Sequence, residues 1–198
     1  MKKFDRLPAG QRKEEICNAA LQLFNKKGFA AVTMENIVHE VSLSKGGVYR
    51  LYPSTTAILS DLILHGMHKR NSYYEQRVTE QIQKNKPLDL PFLIEMILDS
   101  LLLYPEFSGI YVEFLWQKQR DISLQQLYDQ ICEITIRETL SLIEKYHASD
   151  LLNSPELLQR LTDMMNTMIL GLHVLDLKDH YIDHKEEIGL AMCRILKI

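Results

Sequence analysis

Residues 42–52 read S-L-S-K-G-G-V-Y-R-L-Y, and this stretch decides how the rest of the chain is organised. Ser44 is suited to cap a helix. Val48, Leu51 and Tyr52 recur at helical spacing, and Pro53 drives Tyr52 towards an extended backbone that ends the helix. Barely two turns remain. Gly46 and Gly47 each cost about 1 kcal/mol against alanine inside a helix, which makes sense where another backbone approaches closely. Lys45, Tyr49 and Arg50 carry cationic and hydroxyl donors of the kind that meet phosphate oxygens and base edges.

Immediately upstream, Thr33 can cap a helix whose residues Met34, Ile37, Val38 and Val41 share one apolar face. Two short helices therefore meet at a tight turn near Ser42–Leu43. This is the helix-turn-helix pattern, in which the second helix enters the major groove and the first crosses the backbone. A structural helical hairpin without a nucleic-acid partner has the same pattern, so spacing alone leaves both readings open.

The longer run Gly28–Ser54, G-F-A-A-V-T-M-E-N-I-V-H-E-V-S-L-S-K-G-G-V-Y-R-L-Y-P-S, resembles the signature of the TetR family of bacterial transcriptional regulators in the order of its parts. That resemblance implies an all-α fold of about nine helices. An N-terminal three-helix DNA-binding domain with a helix-turn-helix, residues 1–55, is joined by a long helix to a larger ligand-binding and dimerisation domain, residues 56–198. By position, the resemblance makes Thr33 and Tyr49 phosphate contacts and turns Ser44, Lys45 and Gly46 towards bases. Many relatives have His where this chain has Leu51 and Lys where it has Thr55. Arg50, Ser54 and the N-terminus of the fourth helix, at Thr55, stand in for those contacts. Fewer ionic contacts imply a shallower salt dependence.

Composition bounds the answer independently. The 198 residues are 46% hydrophobic and 25% charged, the make-up of an ordinary soluble globular protein. No apolar run approaches the ~20 residues a membrane helix needs, and the cations near the start are followed by no apolar signal region. A cytoplasmic protein is expected. Net charge is −3, which disfavours indiscriminate nucleic-acid binding, but it is unevenly placed: nine Lys and Arg face five Asp and Glu within the first 60 residues, a net of +4, leaving −7 for the rest. A basic head on an acidic body suits a local footprint. Cys17, Cys132 and Cys193 are far apart and fall in apolar stripes, so they read as small buried hydrophobes rather than a disulfide or metal set.

In order along the chain, the first helix runs from near Gln11 to Lys27. Ile16, Ala19, Ala20, Leu23 and Phe24 face inward, and Gly28 stops it. Phe29 and Val32 then close a three-helix unit with a small core of its own. The arm Lys2–Arg6 reads as a solvated tail or an extra DNA contact. Ser54 caps a long fourth helix reaching towards Ile82, a mechanical link between the head and the second domain. Its Lys69, Arg70, Arg77 and Lys84 read as solvated surface. After the break at Asn85-Lys86-Pro87 comes a helix with Phe92, Leu93, Met96, Ile97 and Ser100, then one from Pro105 to Lys118 that is apolar on two sides. Phe107, Tyr111 and Phe114 form one stripe, Val112, Leu115 and Trp116 the other.

The candidate cavity wall comprises His65, Met96, Ser100, Phe107, Tyr111, Phe114, Met165 and Met168, with simple core packing as the alternative. Its aromatic, Met-rich character points to an apolar or cationic aromatic effector. A helix from Ser123 to about Tyr146 turns Leu142 and Ile143 inward, and the next starts after Asn153 with Ser154 as cap and Pro155 in its first position. There Leu158, Leu161, Met165, Met168, Leu172 and Leu175 step by threes and fours, a coiled-coil-like seam. The last helix, His184 to Leu196, adds Ile188, Met192 and Ile195. Leu158, Leu161, Leu172, Leu175, Ile188, Met192 and Ile195 are the candidate homodimer interface, through an intermolecular four-helix bundle, or else pack within one chain.

His180 and His184 with Asp179 and Asp183 mimic a metal cluster, but a charged solvated turn explains them equally well, and no metal or other cofactor is expected. No hydrolase, zinc-protease, nucleotide-loop or dinucleotide motif is present, so no enzyme is expected. The expected function is a ligand-responsive regulator, most simply a repressor, acting on a double-stranded palindromic operator. The competing class is a helical small-molecule-binding protein or enzyme with a vestigial head.

Overall fold

Local caps set most helix boundaries. The computed structural model describes residues 9–103, 105–145 and 154–196. The Lys2–Arg6 arm, Tyr104, Tyr146 and Asn153 lie outside them, as do the side chains of Leu142 and Ile143. Helix α1, Ala9–Lys27, leads through Gly28 and one 3-10 turn, Phe29–Ala31, to α2, Met34–Glu40. Gly28 sits at φ 78°, where side-chain-bearing residues are strained. Thr33 and Asn36 form a reciprocal capping box on α2, and Ser44 Oγ accepts from Gly47 N to start α3, Lys45–Leu51. Ser54 does the same for Ala57 N at the head of α4, Thr55–Gln83.

The body continues with α5, Leu90–Leu103; α6, Pro105–Gln117; α7, Ile122–Lys145; α8, Pro155–Val174; α9, Lys178–Asp183; and α10, Lys185–Leu196. Asp89 accepts from Phe92 N at the start of α5, and Asp121 takes three donors at the start of α7. Ser154 with Pro155 opens α8. The described residues thus hold ten α-helices, in keeping with the about nine expected. The addition is α9, where a solvated turn was expected, and its anchor is Tyr181, buried against the second core.

Two apolar cores stack along the molecule, and the first corrects the expectation of a self-contained head. Ile16, Ala20 and Phe24 of α1, Ile37 of α2 and Val48 of α3 pack with Ile58, Leu59 and Leu62 of α4, Ile110 and Phe114 of α6, and Leu124 and Ile131 of α7. Three short helices bury too little surface to make a core alone, so the head borrows its floor from the body. The second core joins α5 to Val78 of α4, to Leu157, Leu158, Leu161 and Met165 of α8, and to Met192 and Leu196 of α10. Trp116, expected inside, is exposed, with the Arg120 guanidinium 4.9 Å over its ring. Cys193 is buried, whereas Cys17 and Cys132 are half-buried, and burial holds both of the latter thiols above their usual pKa.

Candidate nucleic-acid interface and effector cavity

The core residues of α3 fix which side it presents. Val48 is fully buried, and Tyr52, just past the helix, is nearly so. Ser44, Lys45, Gly46 and Arg50 are therefore exposed, with Tyr49 half-buried beside them. Thr33 lies exposed at the start of α2, and Ser54 and Thr55 are half-buried at the start of α4. The three caps Thr33, Ser44 and Ser54 use their oxygens as acceptors, which leaves each hydroxyl proton available to an outside oxygen. A Cβ at Gly46 would meet nothing within 4 Å, so nothing inside the protein requires glycine there and the space above it is open.

Sequence reasoning missed Glu35. Its Oε1 accepts from both Lys45 Nζ and Tyr49 OH, each at 3.1 Å. The Lys45 bond comes first among the causes that hold the Glu35 carboxyl below its ordinary pKa, and Glu35 in turn raises the Lys45 ammonium. Two of the residues expected to meet DNA are thus tied to α2 by one carboxylate. Arg50 has no partner among the described residues. Behind this face, Tyr52 OH donates to Asp61 Oδ2 at 2.7 Å and Lys13 Nζ reaches the same oxygen at 3.1 Å. That cluster fastens α1 and the end of α3 to α4, and burial is the chief reason the Tyr52 phenol is far harder to ionise than usual. The α1–turn contact is Glu15 Oε1, which accepts from Ser42 N at 2.6 Å.

Two cavities of about 80 and 90 Å³ lie in the body. Of the residues expected to line a pocket, Met96 faces the first, Ser100, Phe107 and Tyr111 the second, and Met165 both. Phe114 is corrected to wholly buried core, because its position on α6 points at α1 and α7. His65 is exposed, stacked 5.8 Å from the Phe107 ring, and Met168 packs beside the second core without lining either cavity. Tyr111 OH donates to Asn166 Oδ1 at 3.0 Å, and Asn166 Nδ2 donates to Tyr128 OH at 2.9 Å. Burial pushes the Tyr111 phenol up to about 12. The second omission is Arg70, read as surface from the sequence, which lines both cavities. Arg77 was misread in the same way: it is largely covered and paired with Glu95 and Asp99.

The dimer set divides. Leu158, Leu161 and Met192 are buried inside the protomer, where α5 covers them, so they offer nothing to a second chain. Leu172 and Ile188 are half-buried against the same core. Leu175 and Ile195 are 64% and 58% exposed, and the uncovered apolar surface near them includes Val174 at 69% and Leu190 at 61%. His180 and His184 stack at 4.5 Å.

A two-turn helix presented outward from a capped helical pair, on an all-α body with two cavities, defines the class by architecture: an all-α protein with an exposed helix-turn-helix. Residues 16–62 match the family model described as bacterial regulatory proteins, tetR family. That match is confined to the head of the chain. The HTH-type transcriptional regulator YfiR of Bacillus subtilis, itself uncharacterised, is 39% identical over 57 residues. That match covers 29% of this chain and only 28% of YfiR. Over the whole fold, the fatty acid degradation regulator FadR of Bacillus halodurans superposes with a TM-score of 0.64 at 15% identity, covering 96% of this chain and 97% of that one. A TetR transcription regulator of Haloarcula marismortui gives 0.63 at 17%, covering 94% and 96%. No helix among the described residues is long and apolar enough to cross a membrane.

Proposed function

We propose that this protein is a dimeric, ligand-responsive transcriptional regulator, a repressor that a small molecule releases from a palindromic operator. The observation that carries the reading is the outward face of α3, where Lys45, Gly46 and Arg50 stand exposed because Val48 and Tyr52 are sunk in the core. Lys45 and Gly46 face bases, while Thr33, Tyr49, Arg50, Ser54 and the N-terminus of α4 hold phosphates. A two-turn helix binds weakly alone. Two copies about 34–36 Å apart meet successive major grooves on one face of the duplex.

The second copy comes through the outer faces of α8 and α10, where Val174, Leu175, Leu190 and Ile195 are left uncovered. Pairing these faces gives an isologous four-helix bundle of the commonest symmetry. The effector occupies the cavities beside α4 and α6 and acts by binding the non-operator conformation more tightly. An electrophoretic shift with the DNA upstream of the protein's own gene tests the reading. Salt-sensitive, sequence-selective binding at nanomolar to micromolar protein is expected, and its absence would refute it. Lys45→Ala should lose discrimination between sites, whereas Thr33→Ala should weaken all sites alike.

A further inference from the structure

The wall between the two cavities is built on a cation. Arg70, on the inward side of α4, contributes to both cavities, and Met165 of α8 is the other residue they share. Its Nη2 donates to Thr135 Oγ1 at 3.1 Å, and its guanidinium lies 5.8 Å from the Tyr74 ring. The Nε is sealed from solvent without a hydrogen-bond partner. No carboxylate pairs with Arg70 among the described ion pairs, although Arg77, two turns further along the same helix, has two. A half-buried guanidinium without an anion is costly, since desolvation of the charge is not offset.

Thr135 is its hydrogen-bond partner among the described residues, and the other polar groups lining the cavities, Thr139, Thr162, Ser100, Ser108 and Tyr111, are neutral and cannot balance its charge. What remains around Arg70 is apolar: Val78, Phe92, Leu93 and Ile97 on one side, Met67 and Leu101 on the other. We infer that the effector is an anionic amphiphile, a carboxylate-headed molecule with an apolar chain, whose headgroup takes the Arg70 guanidinium while its chain occupies the apolar space of the two cavities that meet at Arg70. A carboxylate fits the fork because it accepts from Nε and Nη together. This rests on reading the cavities as the effector site; of the apolar or cationic aromatic effector expected from the sequence it keeps the apolar part and replaces the cation, because a cation there would face Arg70.

The test is isothermal titration of the full chain with decanoate, 1-decanol and decylamine, all below their micellar concentrations, in wild type, Arg70→Gln and Arg70→Lys. Decanoate should bind roughly 10- to 100-fold more tightly than decanol, the range a charge-assisted pair supplies. Arg70→Gln should remove that preference, so that decanoate binds no more tightly than decanol in the variant, and Arg70→Lys should keep part of it. Equal binding of decanoate and decanol, tighter binding of decylamine, or a preference that survives in Arg70→Gln overturns the inference. Operator shifts run alongside separate the two readings. Decanoate that binds through Arg70 without releasing DNA supports this site and refutes ligand-released repression. Release by a neutral or cationic compound that ignores Arg70 does the reverse.

Discussion

Asn166→Ala is the sharpest structural test of the body, because one buried amide holds three helices together. Its Oδ1 accepts from Tyr111 of α6 and its Nδ2 donates to Tyr128 of α7, while the residue itself sits on α8 and is 8% exposed. Removing two neutral hydrogen bonds costs about 0.5–1.5 kcal/mol each, and a Tyr111 hydroxyl left unpaired beside an apolar cavity adds about 1–3 kcal/mol. Alanine recovers up to ~0.7 kcal/mol of helix propensity, and the half-buried Tyr128 hydroxyl can turn to water. The net expectation is a loss of about 2–4 kcal/mol. For a chain of this size that corresponds to roughly 5–15 °C in Tm. Urea unfolding followed by circular dichroism at fixed protein concentration measures it, the concentration being held because the proposed dimer would contribute to stability. Tyr111→Phe should cost about 1 kcal/mol less in the Asn166→Ala background than in wild type, since the bond it removes is already gone. A loss below about 1 kcal/mol, or equal costs of Tyr111→Phe in the two backgrounds, would refute the bridge.

Glu35→Gln removes the negative charge that pairs with Lys45 while keeping an acceptor for it and Tyr49, so operator binding should tighten at low salt and converge with wild type at high salt, as fluorescence anisotropy would read. Leu190→Glu with Ile195→Glu places charge on the uncovered face of α10 and should give a monomer in sedimentation without lowering helix content; an unchanged dimer would move the interface elsewhere. Asp121 is held below the usual carboxylate range, first by the Ser123 hydroxyl. The folded chain therefore binds that proton less readily than the unfolded one. Its stabilisation is present above the ordinary Asp pKa and fades as pH falls through the lowered folded value. Melting curves of wild type and Asp121→Asn should accordingly draw together on acidification, and a constant gap would show that Asp121 does not act through its charge.

The head was legible because its determinants are local. Thr33, Ser44 and Ser54 each sit three residues before the amide they cap, so boundaries of α2, α3 and α4 follow from the sequence directly. The long-range facts were not. The 3-4 spacing of Leu158, Leu161 and Met165 specifies an apolar stripe but not its partner, and α5 claims it before a second chain can. Arg70 and Arg77 illustrate the same limit for charge. On a 29-residue helix that crosses from head to body, both faces are covered somewhere, so a cation's position in the helical repeat does not reveal whether it meets solvent. Glu35 was overlooked because a carboxylate on a DNA-facing helix looks like surface until Lys45 and Tyr49 are seen to share it.

The sequence pointed to α4 as a mechanical link between the head and the body, and the packing adds a second. Ile110 and Phe114 of α6 share the first core with Ile16 and Phe24 of α1, so α6 touches the head as α4 does. The two struts meet at Gly66, where a Cβ would lie 3.2 Å from the Phe107 ring, and the second cavity opens between them, lined by Gly66, Met67 and Arg70 on one side and Phe107 and Tyr111 on the other. A close-packed core does not compress, so a ligand wedged there must separate α4 from α6 rather than be absorbed locally. The Lys13, Tyr52 and Asp61 cluster ties α1 and the end of α3 to the near end of α4, while α1 also rests on α6. Under the proposed reading, spreading the struts would tilt the head as a unit. The reading helices of two protomers would then leave their one-turn spacing with α3 itself undistorted.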